Sequence, residues 1–137
     1  MNPPKQYKTK SLNESSYTVY LKKAKEFYQT MYQAEKLENW NAVGLNGVHC
    51  VISSIDTLLV RHAGIRPTAN DHMAVVDLLT SAAAKKIKEI PAKSQAARRI
   101  IAKKNLIEYE NKDFTRSDAL DMIKQVQRFY EWAIKQL

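Results

Sequence analysis

Residues 61–72, RHAGIRPTANDH, bring several reactive side chain types into one short stretch, in which Arg66 stands six positions before His72. A histidine can accept the proton of an RNA 2′-hydroxyl because its pKa lies near neutrality. An arginine can stabilise the negative charge that develops on the attacked phosphate. One hypothesis is therefore metal-independent RNA cleavage, with Arg66 on the phosphate and His72 as general base or acid.

The same stretch also has the residues that separate two helices. Pro67 is expected to end one helix, because the residue before a proline avoids the helical conformation. Thr68 with Asp71 three positions later resembles a capping box that starts the next helix. In this interpretation Arg66 is an exposed loop residue, and His72 lies in a first helical turn with a hydrogen-bond partner. The sequence leaves both interpretations open.

Positive charge is concentrated in residues 85–104, KKIKEIPAKSQAARRIIAKK. Eight lysines and arginines stand beside one acid, Glu89, which leaves a local charge of +7 against +8 for the whole chain. The acids that would pair with these residues at i,i+4 spacing are missing, and a field of one sign attracts phosphate. The run is therefore either a solvated helix face or a surface for nucleotide or RNA phosphate. Under the second interpretation the ligand-binding residues are Arg61, Arg66, His72, Arg98, Arg99, Lys103, Lys104 and Tyr109.

The elements that position these residues are predicted from apolar residues at three- and four-residue steps, which indicate helices. No segment alternates with period two over a useful length. We expect an all-α, antiparallel up-and-down bundle of four to five helices in a single domain. Thr115 with Asp118 predicts a capping box before the last helix. The predicted segments are a flexible basic arm over 1–15 and a domain over 16–137, with helices at about 16–38, at 40–63, from 68 or 70 to a break at 90–91, at 93–110 and at 116–136.

The second predicted helix is apolar nearly all round, so it is expected to be the most buried. Gly44 and Gly47 lower its stability, and each is expected to permit the close approach of a neighbouring helix. Cys50 is interpreted as a small core residue and His49 as a core histidine with a satisfied ring. Gly64 is expected to end the helix in the left-handed conformation.

Several functional classes are not supported by the composition. One cysteine allows no intramolecular disulfide, which favours a reducing compartment such as the cytoplasm. Neither an apolar leader nor a run of eighteen apolar residues is present, so we expect no signal peptide and no membrane span. Three histidines and one cysteine without clustered spacing predict no metal site, and no glycine-rich phosphate loop occurs. No cofactor is expected.

Taken in order, these segments resemble the HEPN family, the helical nucleotide-binding domains of higher eukaryotes and prokaryotes. SYTVYLKKAKEFYQTMYQAEKLENW is similar to the opening helix of that family, and NAVGLNGVHCVISSIDTLLVRHAG to its second helix with small residues. RPT followed by His72 resembles the next loop, and IIAKKNLIEYENKDFTRSDALDMIKQVQRFYEW resembles the closing helix pair. The resemblance covers roughly residues 16–136.

The resemblance implies a bundle that is often a homodimer, with a role around nucleotides or RNA. Many members act beside minimal nucleotidyltransferases or in toxin–antitoxin and defence systems. The RNase members carry an arginine and, four to six residues later, a histidine near the end of the third core helix, facing the same motif of a second subunit. The corresponding segment here is KNLIEY, residues 104–109. Asn105 and Tyr109 are similar to residues of some RNase members, but Ile107 stands where the histidine would be.

Three functions follow as hypotheses. The expected one is a non-catalytic HEPN-type module that binds a nucleotide, RNA or a partner such as a nucleotidyltransferase or antitoxin. The second is a toxin-like, metal-independent RNase that uses Arg66 and His72. The third is a structural interaction bundle whose basic face meets an acidic protein. An enzyme is the less expected outcome, because isoleucine cannot accept a proton where the family's RNases have histidine.

Overall fold

The structure, a computed structural model, describes residues 7–68 and 71–137. Within them the chain is mostly helical, with five α-helices and one small antiparallel sheet of two strands. The helical bundle is thus confirmed, although the sheet was not predicted. The elements are β1 (Thr9–Ser11), a 3-10 turn (Glu14–Ser16), α1 (Tyr17–Lys36), α2 (Trp40–Ala63), β2 (Ile65–Pro67), α3 (His72–Ala83), α4 (Ile90–Tyr109) and α5 (Arg116–Lys135).

Helix α2 forms the centre of the bundle and packs against each of the other four helices. Every residue from Cys50 to Val60 is buried, which confirms the prediction that this helix is the most buried. Helix α2 has 24 residues and contains an 18-residue window with a mean hydropathy of 1.5, so it is long and apolar enough to cross a membrane. However, 83% of the apolar window is buried inside the bundle, an arrangement compatible with the core helix of a soluble protein.

The two glycines of α2 lie where other elements approach its backbone. A Cβ on Gly44 would stand 2.6 Å from Cδ1 of Ile107 and 2.8 Å from Cε2 of Phe114. A Cβ on Gly47 would stand 3.1 Å from Cγ of Met122, on α5. The predicted packing role of both glycines is therefore confirmed, since real Cβ atoms rarely approach other atoms so closely.

The start of α5 follows the sequence prediction closely. The side chain of Thr115 accepts a hydrogen bond from the backbone N–H of Asp118, and the Asp118 carboxylate accepts one from the N–H of Thr115. This reciprocal pair is the predicted capping box. By contrast, the predicted break at Ile90-Pro91 is wrong, because α4 begins there with the proline in its first turn. Proline is tolerated in a first turn because its missing N–H would have no helical partner.

The N-terminal segment differs from the flexible arm that the sequence predicted. Residues 1–6 lie outside the described residues, but Thr9–Ser11 forms β1 and pairs antiparallel with Ile65–Pro67, with Lys10 opposite Arg66. Strands of three residues are too short to show an alternating pattern, and their partners are more than fifty residues apart in sequence. Pairing of this kind cannot be recognised from local periodicity.

The predicted start of α3 at Thr68 is also wrong. The backbone N–H of Thr68 donates to the carbonyl of Lys8 at 3.0 Å, so Thr68 extends the strand pairing. Asp71 caps α3 instead, and its side chain accepts a hydrogen bond from the N–H of Met73 at 2.9 Å. The other predicted start, Asn70, lies outside the described residues. His72 is therefore the first residue of α3.

Candidate functional site

Arg66 is not the exposed loop residue of the simpler interpretation. It lies in β2, and its Nε is 3.1 Å from Oδ1 of Asp56, while Nη2 donates a hydrogen bond to Oδ2 at 3.2 Å. The side chain of Asp56 is 5% exposed and that of Arg66 is 34% exposed. The guanidinium also stands 4.7 Å from the ring centroid of Tyr20. Burial raises the pKa of Asp56 above its ordinary value, although the hydrogen bond and charge of Arg66 oppose the shift.

Arg61 occupies the last turn of α2, where its guanidinium lies 5.6 Å from the ring centroid of Tyr17. A cation over an aromatic face contributes a modest attraction at a partly exposed site. Both predicted arginines of this region thus pack on tyrosines at the N-terminal end of α1. This packing fastens α1 to the end of α2 and to β2.

His72 meets a residue that the sequence analysis did not connect with it. Its ring lies edge-on to that of His49, with a centroid distance of 6.1 Å and an angle of 88° between the ring planes. His49 also packs against Phe27 at 5.4 Å, and both histidines are half-buried. Burial lowers the pKa of His49, and the charges of His72 and Lys104 lower it further. His49 is therefore not enclosed in the core, as the sequence suggested, but lies at its edge beside other cation-forming groups.

The C-terminal part of α4 completes this neighbourhood. Nζ of Lys104 donates to Oε2 of Glu108 at 2.6 Å and lies 5.9 Å from the ring centroid of Tyr109. The hydrogen bond from Lys104 holds the pKa of Glu108 below its ordinary value, and the charge of His49 acts in the same direction. Tyr109 itself is 75% exposed. We call His49, His72, Lys104 and Glu108 the histidine cluster.

Arg98 is engaged on another face of α4. Its Nη2 lies 2.5 Å from Oδ1 of Asp77 on α3, and the hydroxyl of Tyr7 donates to Oδ2 of the same carboxylate, also at 2.5 Å. The hydrogen bond to Asp77 raises the pKa of Tyr7 to about 12. Asp77 therefore links the N-terminal segment, α3 and α4, which gives Arg98 a structural partner.

Arg99 and Lys103 lie one helical turn apart on the exposed side of α4, where neither forms an ion pair with any of the described residues. They line an open groove of about 480 Å³ between α4 and α5. Asp121 and Gln125 contribute to the α5 side of the groove, and Glu110 lies near its end. Arg99 and Lys103 therefore keep charges that no ion pair within the described residues offsets.

Two further cations of the basic run have partners inside the molecule. Nζ of Lys86 donates to the backbone carbonyl of His62 at 2.5 Å, near the C-terminal end of α2, and Nζ of Lys93 stands 5.7 Å from the ring of Trp132. Together with the pairs of Arg98 and Lys104, these contacts occupy half of the eight cations. Within the described ranges no ion pair or ring contact involves the rest, which are Lys85, Lys88, Arg99 and Lys103.

The predicted site residues therefore fall into separate groups and not into one cleft. The sequence analysis missed the partners that divide them, above all Asp56, Asp77 and His49. A usable signal existed for Asp56, which is the only acid in the apolar run 48–60. A lone carboxylate in a buried helix needs a partner of opposite charge. Nothing local indicated that the partner would be Arg66.

Comparisons with known proteins complete the description of the site. Neither a scan against protein-family models nor searches of curated proteins and of solved structures found a match to this chain. Among residues 7–68 and 71–137, no three histidine, cysteine, aspartate or glutamate side chains are grouped so that they could hold a metal ion. The function is therefore inferred from the residues of this chain and from their resemblance to the HEPN pattern.

Proposed function

We propose that the protein is a non-catalytic, HEPN-type module that binds nucleotide or RNA phosphate along the exposed side of α4. The observation that carries this proposal is the pair Arg99 and Lys103, whose charges are not compensated by an ion pair within the described residues. The two cations lie roughly 6 Å apart along the helix axis, so both can contact one strand of RNA. Because Asp121 and Glu110 also line the groove, the binding surface is the α4 edge and not the groove floor.

Tyr109 adds a contact of a different kind. Its ring is exposed near the C-terminal end of the same helix, with the Lys104 ammonium close by. An exposed aromatic face stacks on nucleic-acid bases without regard to their identity. Arg99, Lys103 and Tyr109 together favour a single-stranded RNA or a nucleotide over a duplex, whose bases are already stacked.

The pairing of Arg66 with Asp56 supports the non-catalytic form of the proposal. A guanidinium that faces a buried carboxylate offers less net charge to a phosphate in the transition state of cleavage. The toxin-like RNase remains the alternative hypothesis. It requires that the wild-type protein cleaves RNA and that His72→Ala does not. A nuclease assay of the purified wild-type and variant proteins under metal-free conditions decides between the two hypotheses.

The HEPN resemblance supplies the biological setting of the proposal. It implies a bundle that is often a homodimer, with a nucleotidyltransferase or an antitoxin as protein partner, and the single cysteine favours the cytoplasm. Within this setting the basic edge of α4 serves either RNA or the nucleotide that the partner enzyme handles. The interaction bundle that meets only an acidic protein is the remaining alternative.

Salt-dependent binding of a fluorescent single-stranded RNA tests the proposal. Fluorescence anisotropy is compared for the wild-type protein, Arg99→Gln/Lys103→Gln and the control Lys22→Gln/Lys25→Gln, whose substitutions lie on exposed positions of α1 and change the net charge equally. Loss of two phosphate contacts should reduce the slope of log affinity against log salt by about 1.4. The control should keep the wild-type slope.

Two outcomes would contradict the proposal. The first is equal weakening by both double variants, which would mean that only net charge matters. The second is the absence of RNA and mononucleotide binding at low salt while an acidic protein still binds. That result would favour the interaction bundle, since its basic face would then recognise protein carboxylates alone.

A further inference from the structure

The histidine cluster is built on the ring contact of His49 with His72, whose centroids are 6.1 Å apart, and the charge of Lys104 acts on His49 from a third helix. His49 comes from the middle of α2, His72 from the first residue of α3, and Lys104 from the C-terminal half of α4. The chain has only three histidines. The third, His62, lies elsewhere, with its Nε2 at 2.7 Å from the carbonyl oxygen of Gln136. The cluster is therefore distinct from the surroundings of His62, and its Lys104 directly follows Lys103 of the exposed pair in the sequence.

We propose that the histidine cluster binds a phosphomonoester group, the terminal phosphate of a nucleotide or of an RNA end. The two imidazole rings and the Lys104 ammonium supply the cationic contacts, and the first turn of α3 adds the positive end of its helix dipole. This inference rests on the proposed function, from which it takes the class of ligand. It adds a second binding site, which holds the terminal phosphate of that ligand. Arg99 and Lys103 hold the remainder of the ligand.

Glu108 acts in this arrangement as an internal counter-ion. Its carboxylate pairs with Lys104 at 2.6 Å, and its negative charge opposes the lowering of the His49 pKa. An arriving phosphate competes with this carboxylate for Lys104. Removal of the Glu108 charge should therefore improve phosphate binding, which is the opposite of what a purely structural ion pair would do.

The other charged groups near the cluster are already engaged. On α2, Asp56 is paired with Arg66, and its pKa is also sensitive to the charge of His72. Asp71 caps the N–H of Met73 at the start of α3. From α1 the ring of Phe27 packs against His49, while the charge of Lys23 acts on Asp56. The Lys104 ammonium and a protonated His49 thus supply positive charge for an anion.

Binding of a phosphate dianion is expected to be linked to proton uptake. Burial and the neighbouring cations lower the pKa of His49 from its ordinary value of 6.5. A bound anion would raise that pKa again, so the complex would hold more protons than the free protein. The affinity for the dianion must then increase as the pH falls through the range near and below 6.5, once the second ionisation of the phosphate itself, at about pH 6, is taken into account. Binding to arginine and lysine alone would show no such dependence.

Nuclear magnetic resonance of the histidine rings tests the proposal directly. With three histidines, each ring signal can be assigned by its loss in a His→Gln variant. The full-length protein is titrated with inorganic phosphate, with AMP and, at matched ionic strength, with chloride, at pH 6.0 and 7.5. We expect saturable shifts of His49 and His72 with phosphate and AMP and no comparable shift of His62. The affinity, expressed per phosphate dianion, should be about tenfold higher at pH 6.0. Tighter binding of AMP than of phosphate would identify the nucleotide as the source of the group.

Three variants sharpen the test. His72→Gln should weaken phosphate binding about tenfold, Glu108→Gln should strengthen it several-fold, and the control His62→Gln should leave it unchanged. The proposal is overturned by the absence of saturable His49 and His72 shifts, or by an unchanged affinity in Glu108→Gln. A failed phosphate titration with intact RNA binding would refute this inference alone. A loss of RNA binding specific to Arg99→Gln/Lys103→Gln would still support the proposed function.

Discussion

The pairing of Asp56 with Arg66 explains how a charged residue is accommodated inside the central helix. The carboxylate is almost fully buried, and the arginine reaches it from β2 across the end of α2. A buried ion pair adds little net stability compared with apolar residues, but removal of one partner leaves an uncompensated charge. Arg66, which suggested catalysis in the sequence, therefore has a structural role, because it neutralises the buried carboxylate of Asp56.

Substitution of Arg66 by methionine should therefore lower the stability of the fold. An unpaired charge in a fully buried pair costs about 3–5 kcal/mol, and because a third of Arg66 is exposed, we expect a loss of about 2–3 kcal/mol in the free energy of unfolding at pH 7. Burial without the arginine raises the pKa of Asp56 further above 3.8, its ordinary value, so the folded variant takes up a proton more readily than the unfolded one. The deficit should therefore shrink as the pH falls toward 4.

Urea unfolding at pH 4.5 and 7 measures this dependence. Asp56→Asn in the Arg66→Met background removes the charge and should recover at least about 1 kcal/mol at pH 7. A loss that is the same at both pH values, with no recovery in the double variant, would show that Arg66 stabilises the fold by packing alone.

At the scale of elements, the turn between α1 and α2 contains one residue with a strained backbone conformation. Glu38 has a φ of 59°, in the left-handed region. The N–H of Asn39 donates to the carbonyl of Ala34, and that of Glu38 to the carbonyl of Glu35, both at 3.0 Å. These two bonds define a Schellman motif, in which the left-handed position favours glycine. A glutamate there is tolerated because the motif satisfies the last carbonyls of α1.

Glu38→Gly should therefore stabilise the protein. A residue with a Cβ in the left-handed conformation costs about 1–2 kcal/mol, part of which is offset by the greater flexibility of glycine in the unfolded chain, so we expect a gain of about 1 kcal/mol. Thermal unfolding followed by circular dichroism measures it. Glu38→Ala removes the same carboxylate and keeps the Cβ, so it should change stability by less than about 0.5 kcal/mol. A gain of equal size in the alanine variant would mean that charge, and not backbone conformation, is responsible.

For the molecule as a whole, the position of α2 predicts a single cooperative unit. Because this helix contacts the other four, it cannot be exposed without separating all of them. Cys50 lies on it with no exposed surface, and burial raises the pKa of its thiol to about 12. The thiol thus reports on the opening of the whole bundle.

Reaction of Cys50 with a thiol-specific disulfide reagent tests this cooperativity. At pH 8 the native protein should react at least roughly a thousandfold more slowly than the chain in denaturant, given the usual stability of a domain. The rate should rise with urea in parallel with the global unfolding constant, as monitored by tryptophan fluorescence. Rapid reaction that is insensitive to urea would reveal local opening near the middle of α2 and contradict a single unit.

The features that were predicted correctly from the sequence are those that depend on neighbours along the chain. Helical periodicity placed the helices, the apolar character of residues 48–60 marked the central one, Gly44 and Gly47 indicated close packing, and Thr115 with Asp118 predicted a capping box. Each of these signals depends on residues close together in sequence, mostly three or four positions apart, the spacing at which a helix brings side chains together. The proline at the start of α4 misled because a restricted backbone is compatible with either end of a helix.

The meetings of charged groups, by contrast, became visible in the tertiary structure. It paired Arg66 with Asp56, placed His72 against His49, bound Arg98 to Asp77 and left Arg99 and Lys103 exposed. It also joined β1 to β2, although more than fifty residues separate them. Contacts of this kind depend on how the helices pack around α2. The pattern of residue types within one helix does not indicate which residues of another helix will lie opposite. The chemistry available at each cation is set by that packing.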